Sequence, residues 1–115
     1  MQNHAPIVLT TYDFYKELHQ SVKLFPRDEQ LTLGSKIKSL TIESLEIFCR
    51  AEYQSRNLQT GHLEAASAKL DLIKLLIRLC YDLKLINNKK YFALEQQLQE
   101  IGKMLGGWLK FCRKA

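Results

Sequence analysis

The sequence feature that most constrains the fold is the apolar spacing in the last third of the chain. Apolar side chains recur there every three or four residues, as Leu94, Leu98, Ile101, Leu105, Leu109 and Cys112. This spacing places them on one face of an α-helix. We therefore expect a long amphipathic helix that buries this face against other elements of the fold.

Two glycines one helical turn apart, Gly102 and Gly106, interrupt this predicted helix, and Trp108 follows them. A glycine inside a helix costs about 0.5–1 kcal/mol relative to alanine, so a close backbone approach or a bend has to compensate for it. Two interpretations are open. Either the glycines mark a tight helix crossing with Trp108 in the core, or Gly102, Gly106 and Trp108 lie at an interface with another subunit.

Helical spacing recurs along the rest of the chain, and no segment shows the sustained alternation of a strand. Pro26 with Gly34, then Gly61, then Asn87-Asn88 divide the 115 residues into four pieces. The predicted helices are 6–23, 29–55, 61–85 and 89–113. Four helices with short joints predict an all-α fold, an antiparallel up-down-up-down four-helix bundle that forms a single domain over residues 1–115. The small residues Gly34 and Ser35 further indicate that a neighbouring helix approaches closely there.

The third predicted helix carries more apolar surface than one core needs. Its first stripe is Leu63, Ala66, Leu70, Ile73, Leu76, Ile77, Cys80 and either Leu83 or Lys84, and its second is Leu72, Leu75, Leu79 and Ile86. The surplus suits a helix at the centre of a bundle or one that contacts another subunit. Arg78 and Asp82 lie one turn apart on this helix, where they form a local ion pair or fix the register of a subunit interface.

Positive charge is in excess, with 17 Lys and Arg against 12 Asp and Glu, and it is clustered. Lys84, Lys89 and Lys90 lie near Tyr91 and Phe92, and a second group follows with Lys103, Lys110 and Arg113. Such residues can neutralise phosphates and so bind RNA or DNA without sequence preference. The alternative for the second group is that it complements the negative end of the last helix.

Catalytic and metal-binding patterns are missing from the sequence. Its three cysteines show no CxxC spacing, its histidines fall in no ligand motif, and neither Glu-x-x-His nor a glycine-rich phosphate loop occurs. We therefore expect no enzyme activity, cofactor or metal, and free thiols in a reducing cytoplasm. The apolar segment 70–85 is interrupted by charges and the first ten residues do not form a signal peptide, so no membrane association is expected.

Three segments of the sequence resemble a known family. They are Leu24-Phe25-Pro26-Arg27 with Leu33-Gly34, then Arg78-Leu79-Cys80-Tyr81-Asp82-Leu83-Lys84, and Glu100-Ile101-Gly102-Lys103-Met104-Leu105-Gly106-Gly107-Trp108-Leu109-Lys110. The chain is similar over nearly its whole length to the accessory variability determinant (Avd) of diversity-generating retroelements. It also resembles the related four-helix-bundle proteins encoded in intervening sequences of large-subunit ribosomal RNA.

The resemblance implies a basic homopentamer that associates with the retroelement reverse transcriptase and with nucleic acid. Such a protein supports mutagenic copying of a template RNA and has no catalytic centre of its own. Two alternatives remain open at this point: a protein-binding adaptor bundle whose basic charge is incidental, and a ribosomal-RNA intervening-sequence protein without a nucleic-acid function. The nucleic-acid candidates Lys84, Lys89, Lys90, Lys103, Lys110 and Arg113 follow from charge clustering alone.

Overall fold

The computed structural model describes residues 4–114, and long helices account for most of this range. The four helical segments are α1 (Pro6–Val22), α2 (27–51), α3 (Arg56–Asp82) and α4 (Asn88–Arg113). Residues 4–114 contain no strand. The predicted all-α four-helix bundle is confirmed.

Contacts between the helices show that each one runs antiparallel to its two neighbours. α1 packs on α2 and α4, and α3 packs on the same two helices. The end of α1 meets the start of α4, where Glu17 pairs with Lys90, and the start of α3 meets the end of α4, where Glu64 pairs with Arg113. The helices therefore alternate in direction around the core.

The core is built from one apolar stripe on each helix. On α4 all six residues of the predicted stripe are buried, from Leu94 to Cys112. They meet fully buried side chains from the other helices, namely Phe14, Leu18, Ile37, Phe48, Leu63, Ile73 and Ile77. The few buried hydroxyl groups donate hydrogen bonds to a carbonyl one turn earlier, as Thr11 does to Ile7 and Thr41 to Ile37. The core is consequently apolar without unsatisfied hydroxyl groups at these positions.

Helix α2 begins earlier than predicted and contains a wider turn. Arg27–Glu29 is α-helical, Gln30–Gly34 forms a π-helical turn, and Ser35–Ala51 continues as α-helix. A Cβ atom on Gly34 would lie 2.5 Å from Cγ1 of Val22 in α1. The close approach predicted from Gly34 is therefore confirmed, and it fixes how α1 packs on the wide turn.

The joint between α2 and α3 lies at residues 52–55, not at residues 56–60, which the predicted helices 29–55 and 61–85 left between them. The sequence Arg56 to Gly61 is polar, which suggested a loop, but it forms the first turns of α3. The side chain of Gln59 stabilises this start because its Nε2 donates a 2.6 Å hydrogen bond to the carbonyl of Ala51. Gly61 is thus a residue of the helix interior and not the end of a connection.

The joint between α3 and α4 closes differently from the prediction. Asparagine tolerates the left-handed conformation better than most residues, and Asn87-Asn88 were the predicted joint, but it is Lys84 that adopts this conformation, with φ of 61°. The Lys84 N–H donates to the Tyr81 carbonyl and the Leu85 N–H to the Cys80 carbonyl, the paired bonds of a Schellman motif. Asn87 instead caps the start of α4, where its side-chain oxygen accepts a 2.8 Å hydrogen bond from the Lys90 N–H.

Candidate nucleic-acid and subunit interfaces

Five of the six predicted nucleic-acid contacts lie towards the two ends of α4. Lys84, Lys89 and Lys90 lie at the α3–α4 joint, whereas Lys110 and Arg113 lie in the last turn of the helix. Lys103 lies between these two groups, in the interior of α4. The 21 residues from Lys89 to Lys110 correspond to roughly 30 Å along a helix. A single phosphate group cannot bridge both groups, so any ligand that contacts them together has to extend along the bundle.

Two of these six cations are already paired within the chain. Lys90 Nζ lies 2.9 Å from Glu17 Oε2, and Arg113 Nη2 lies 2.7 Å from Glu64 Oε2. Both pairs join α4 to another helix and stabilise the bundle locally. An ion pair offers less net charge to a phosphate than a free cation does, so Lys90 and Arg113 are the weaker candidates.

The other four candidates, Lys84, Lys89, Lys103 and Lys110, are exposed. None of them lies within ion-pair distance of a carboxylate among residues 4–114. On α4, Lys103 and Lys110 lie seven residues apart and therefore on one face, together with Phe92, Gln96, Gln99 and Gly106. We call this exposed surface the outer face of α4. In the single chain, its two cations are available to a polyanion.

Aromatic rings and an arginine lie beside the lysines of the α3–α4 joint. The rings of Tyr81 and Tyr91 stack with their centroids 4.5 Å apart, and the Phe92 ring is tilted against Tyr91 at 5.8 Å. The Arg78 guanidinium lies 5.6 Å from the Tyr81 centroid and 6.0 Å from that of Tyr91. The sequence had suggested the neighbourhood of Tyr91 and Phe92 but not the contribution of Tyr81 and Arg78 from the preceding helix.

Arg78 and Asp82, predicted at a subunit interface, form an exposed ion pair within one protomer. Arg78 Nε lies 3.0 Å from Asp82 Oδ1, one turn further along α3. Hydrogen bonding to Tyr91 and then to Asp82 raises the pKa of Arg78, so the guanidinium is charged at neutral pH. The local pair is the arrangement in an isolated protomer. A role for these two residues between subunits stays a prediction.

The outer side of α3 carries an exposed apolar ladder next to this ion pair. Its spacing alternates between four and three residues, and all its members are exposed: Gly61, Ala65, Ala68, Leu72, Leu75 and Leu79. Leu75 keeps 65% of its surface exposed in the protomer. This is the heptad spacing with which one helix packs against another. Three leucines of the predicted second stripe belong to the ladder, but Ile86 does not, because it is buried in the joint.

Gly102 and Gly106 do not mark a tight crossing inside the protomer. A Cβ on Gly102 would meet only ordinary contacts, at 3.5 Å from Lys74 Nζ and 3.8 Å from a methyl group of Leu70, and a Cβ on Gly106 would meet nothing within 4 Å. The first of the two interpretations is therefore wrong for these glycines. Their conformational cost has no compensating contact in the protomer.

Trp108 lies on a different side of α4 from the two glycines. It is half-buried and lines a small surface depression with Ala5, Pro6, Ile7 and Met104, at the start of α1. Its ring packs against the edge of the core, which is the ordinary role of a large amphipathic side chain. The structure therefore does not bring Trp108 together with Gly102 and Gly106.

A second group of basic and aromatic residues, on α1 and α2, was missed by the sequence analysis. Lys38 of α2 lies 3.3 Å from Nδ1 of His19 and 5.9 Å from the centroid of Tyr15, while Lys16 lies 5.1 Å from the centroid of Tyr12. The alternation of Tyr and Lys along α1 was a usable signal. The contribution of Lys38, however, depends on the packing of two helices that the sequence does not place side by side.

The three thiols are unpaired, with Cys80 and Cys112 buried and Cys49 half-buried. Burial, with a smaller effect from Glu29, raises the pKa of Cys80 to about 11, so this thiol is protonated and unreactive at neutral pH. Within residues 4–114 no three His, Cys, Asp or Glu side chains come together as a metal site. In the same range no helix has the length and apolar character needed to cross a bilayer.

These features define a class of small all-α bundle with an exposed apolar ladder on one helix and free lysines on the next. A family model described as bAvd-like matches residues 7–112, which extend from the first turn of α1 to the last turn of α4. The chain belongs to the bAvd-like family, and the resemblance to Avd is confirmed. No curated protein matches the sequence.

Proposed function

We propose that this chain is a non-catalytic accessory protein of a diversity-generating retroelement, forming a homopentamer that binds the reverse transcriptase and nucleic acid. The observation that carries the proposal is the set of four exposed lysines without carboxylate partners, Lys84, Lys89, Lys103 and Lys110, in a member of the bAvd-like family. In this account the protein holds template RNA or its DNA copy near the polymerase by electrostatic contact, and the polymerase supplies all the chemistry.

The apolar ladder of α3 supports the assembly part of the proposal. Leu72, Leu75 and Leu79 are exposed, and the ladder follows the spacing that packs into a neighbouring helix. Gly106 on α4 has open space around it, so a helix of a second protomer can approach its backbone. Each protomer carries a formal net charge of +5, and a pentamer multiplies this charge and its attraction for a polyanion.

Binding to nucleic acid is tested by fluorescence anisotropy with labelled single-stranded RNA and DNA over a series of salt concentrations. We expect affinity that falls linearly on a log–log plot as salt rises, because bound lysines release counterions from the phosphates. A protein that binds neither nucleic acid at low salt would contradict the proposal and favour the adaptor bundle. The same outcome would fit a ribosomal-RNA intervening-sequence protein without a nucleic-acid function.

Binding to the polymerase is tested by co-purifying the untagged chain with the tagged reverse transcriptase of its own retroelement. We expect a stable complex that survives nuclease treatment, which separates protein contact from bridging by nucleic acid. Loss of the complex after nuclease treatment would remove the polymerase from the proposal and leave only nucleic-acid binding.

A further inference from the structure

We propose that the α3–α4 joint is a binding site for single-stranded nucleic acid, in which Lys84 and Lys89 contact phosphates and Phe92 stacks on an unpaired base. This inference rests on the nucleic-acid binding proposed above. It adds the position of the binding site, a preference for single strands over duplex, and a contact with the bases. None of these three follows from net charge.

The backbone of Lys84 is the first observation. Its φ of 61° lies in the left-handed region, where the Schellman motif usually places glycine. A side chain with a Cβ is strained in this conformation, so glycine at this position would stabilise the joint. A lysine here costs stability and gains nothing from an internal ion pair. The Lys84 side chain is exposed at the joint.

The second observation is an open cleft of about 610 Å³ beside Lys84. Its lining combines one cation with amide and aromatic groups: Tyr81, Asp82, Lys84, Leu85, Ile86, Asn87 and Asn88. The one carboxylate, Asp82, is neutralised by its ion pair with Arg78. Because of this pairing the cleft favours an anionic ligand with hydrogen-bonding groups, such as a nucleotide, over a cation.

The third observation is Phe92, a large aromatic side chain on the outer face of α4 that is 67% exposed. Its ring leans on Tyr91, which in turn stacks on Tyr81, and the Tyr81 hydroxyl donates a hydrogen bond to Asn88. This support holds the Phe92 ring in place with one face towards solvent. A fixed aromatic face can stack on bases of any sequence. The contribution of this stacking to the free energy of binding is lost when the ring is removed.

The positions of the lysines fit a strand that passes over this ring. Lys89 and Phe92 lie three residues apart on α4 and therefore about 5–6 Å apart between Cβ atoms. The carboxylate closest to Phe92 in sequence, Glu95, is held by a 3.4 Å hydrogen bond from the Tyr91 hydroxyl. At the same end of the bundle, Asp28 and Glu29 belong to α2 and do not line the cleft. A duplex keeps its bases stacked internally, so the site selects single strands.

The test measures the affinity of the full chain for a 20-nucleotide oligo-dT, the matching oligo-U and a 20-base-pair duplex. The variants are Phe92→Ala, Phe92→Trp and Lys84→Gly, with Tyr53→Ala as a matched control. Tyr53 is also an exposed aromatic residue, at 87%, but it lies in the α2–α3 joint at the other end of the bundle. Light scattering on each variant reports whether its assembly has changed.

We expect Phe92→Ala to weaken binding of both single strands by about five- to 150-fold, while Phe92→Trp and Tyr53→Ala stay near the unmodified protein. Lys84→Gly should raise the melting temperature and yet weaken binding, with a smaller salt dependence. If Lys84 had only a structural role, a variant with a higher melting temperature would not bind nucleic acid more weakly.

Four outcomes would overturn the site. The first two are unchanged affinity in Phe92→Ala and a loss of affinity in Tyr53→Ala equal to that in Phe92→Ala. The third is equal affinity of the unmodified protein for single strands and duplex. The fourth is a change of molar mass in Phe92→Ala, which would make Phe92 an interface residue. In each of these cases the proposed function survives, because the unmodified protein still binds nucleic acid. If the unmodified protein binds none of the three probes at low salt, both proposals fail.

Discussion

Gly34 of α2 lies so close to Val22 of α1 that a Cβ atom at position 34 would stand 2.5 Å from Cγ1 of the valine. The close approach occurs where α2 widens into its π-helical turn, and the α1–α2 packing depends on it. We expect Gly34→Ala to destabilise the protein by about 1–3 kcal/mol, because the added methyl group overpacks a buried contact. Urea denaturation followed by circular dichroism measures this change.

Gly107→Ala is the matched control for that substitution. A Cβ on Gly107 would meet nothing within 4 Å, and the residue lies inside α4 and outside the apolar ladder. Alanine should therefore stabilise the helix by about 0.5–1 kcal/mol. If both variants shifted the urea midpoint in the same direction, the assigned contact between Gly34 and Val22 would be wrong.

Cys80 makes the stability of the protein fall as pH rises in the alkaline range. Burial raises its pKa from 9.0 to about 11, so between these values the folded chain binds a proton that the unfolded chain has lost. The contribution of Cys80 is complete below pH 9 and is lost as pH rises through 11, on the order of 2 kcal/mol. We expect the free energy of unfolding to fall less between pH 8 and pH 11 in Cys80→Ala than in the unmodified protein, because the variant lacks the Cys80 contribution. Equal alkaline destabilisation of both proteins would contradict it.

The exposed lysines of α4 should matter more for nucleic-acid binding than the paired one. Lys103 and Lys110 have no carboxylate within ion-pair distance among residues 4–114, whereas Lys90 pairs with Glu17. Replacing Lys103 and Lys110 by glutamine should reduce the slope of log K against log salt by about one for each lysine. Lys90→Gln should change this slope less. A larger effect from Lys90 than from the exposed pair would place the binding surface elsewhere.

Gly106 tests the subunit interface on α4 without disturbing the protomer. The space around it is open, so Gly106→Leu should leave the helical circular dichroism intact and lower the molar mass of the assembly. Ala93 is an exposed residue of α4 that lies about 140° around the helix from Gly106, and Ala93→Leu is the control. An unchanged mass in Gly106→Leu would remove this residue from the interface.

Much of the fold could be predicted from the sequence because each helix repeats one simple pattern. The stripe from Leu94 to Cys112 is buried as expected, and Gly34 meets a neighbouring helix. The α2–α3 joint was misplaced because polar residues are compatible with both a loop and a helical turn. The helical turn is fixed by contacts of the folded chain, such as the hydrogen bond from the Gln59 side chain to the Ala51 carbonyl.

The candidate site was less predictable because it depends on contacts between helices. Charge clustering found the lysines, but it could not show that Glu17 and Glu64 neutralise Lys90 and Arg113. Similarly, the left-handed conformation of Lys84 follows from the hydrogen bonds that end α3 and not from residue type, which favours Asn87.

The most direct test of the whole account is the molar mass in solution, measured by light scattering at low and high salt. We predict five times the 13.4 kDa of one chain, about 67 kDa, at both salt concentrations, because salt does not screen the contacts of the apolar ladder of α3. Leu75→Lys, in the middle of the ladder, should reduce this mass. A monomer of 13.4 kDa under both conditions would contradict the assembly and leave the ladder without its proposed role.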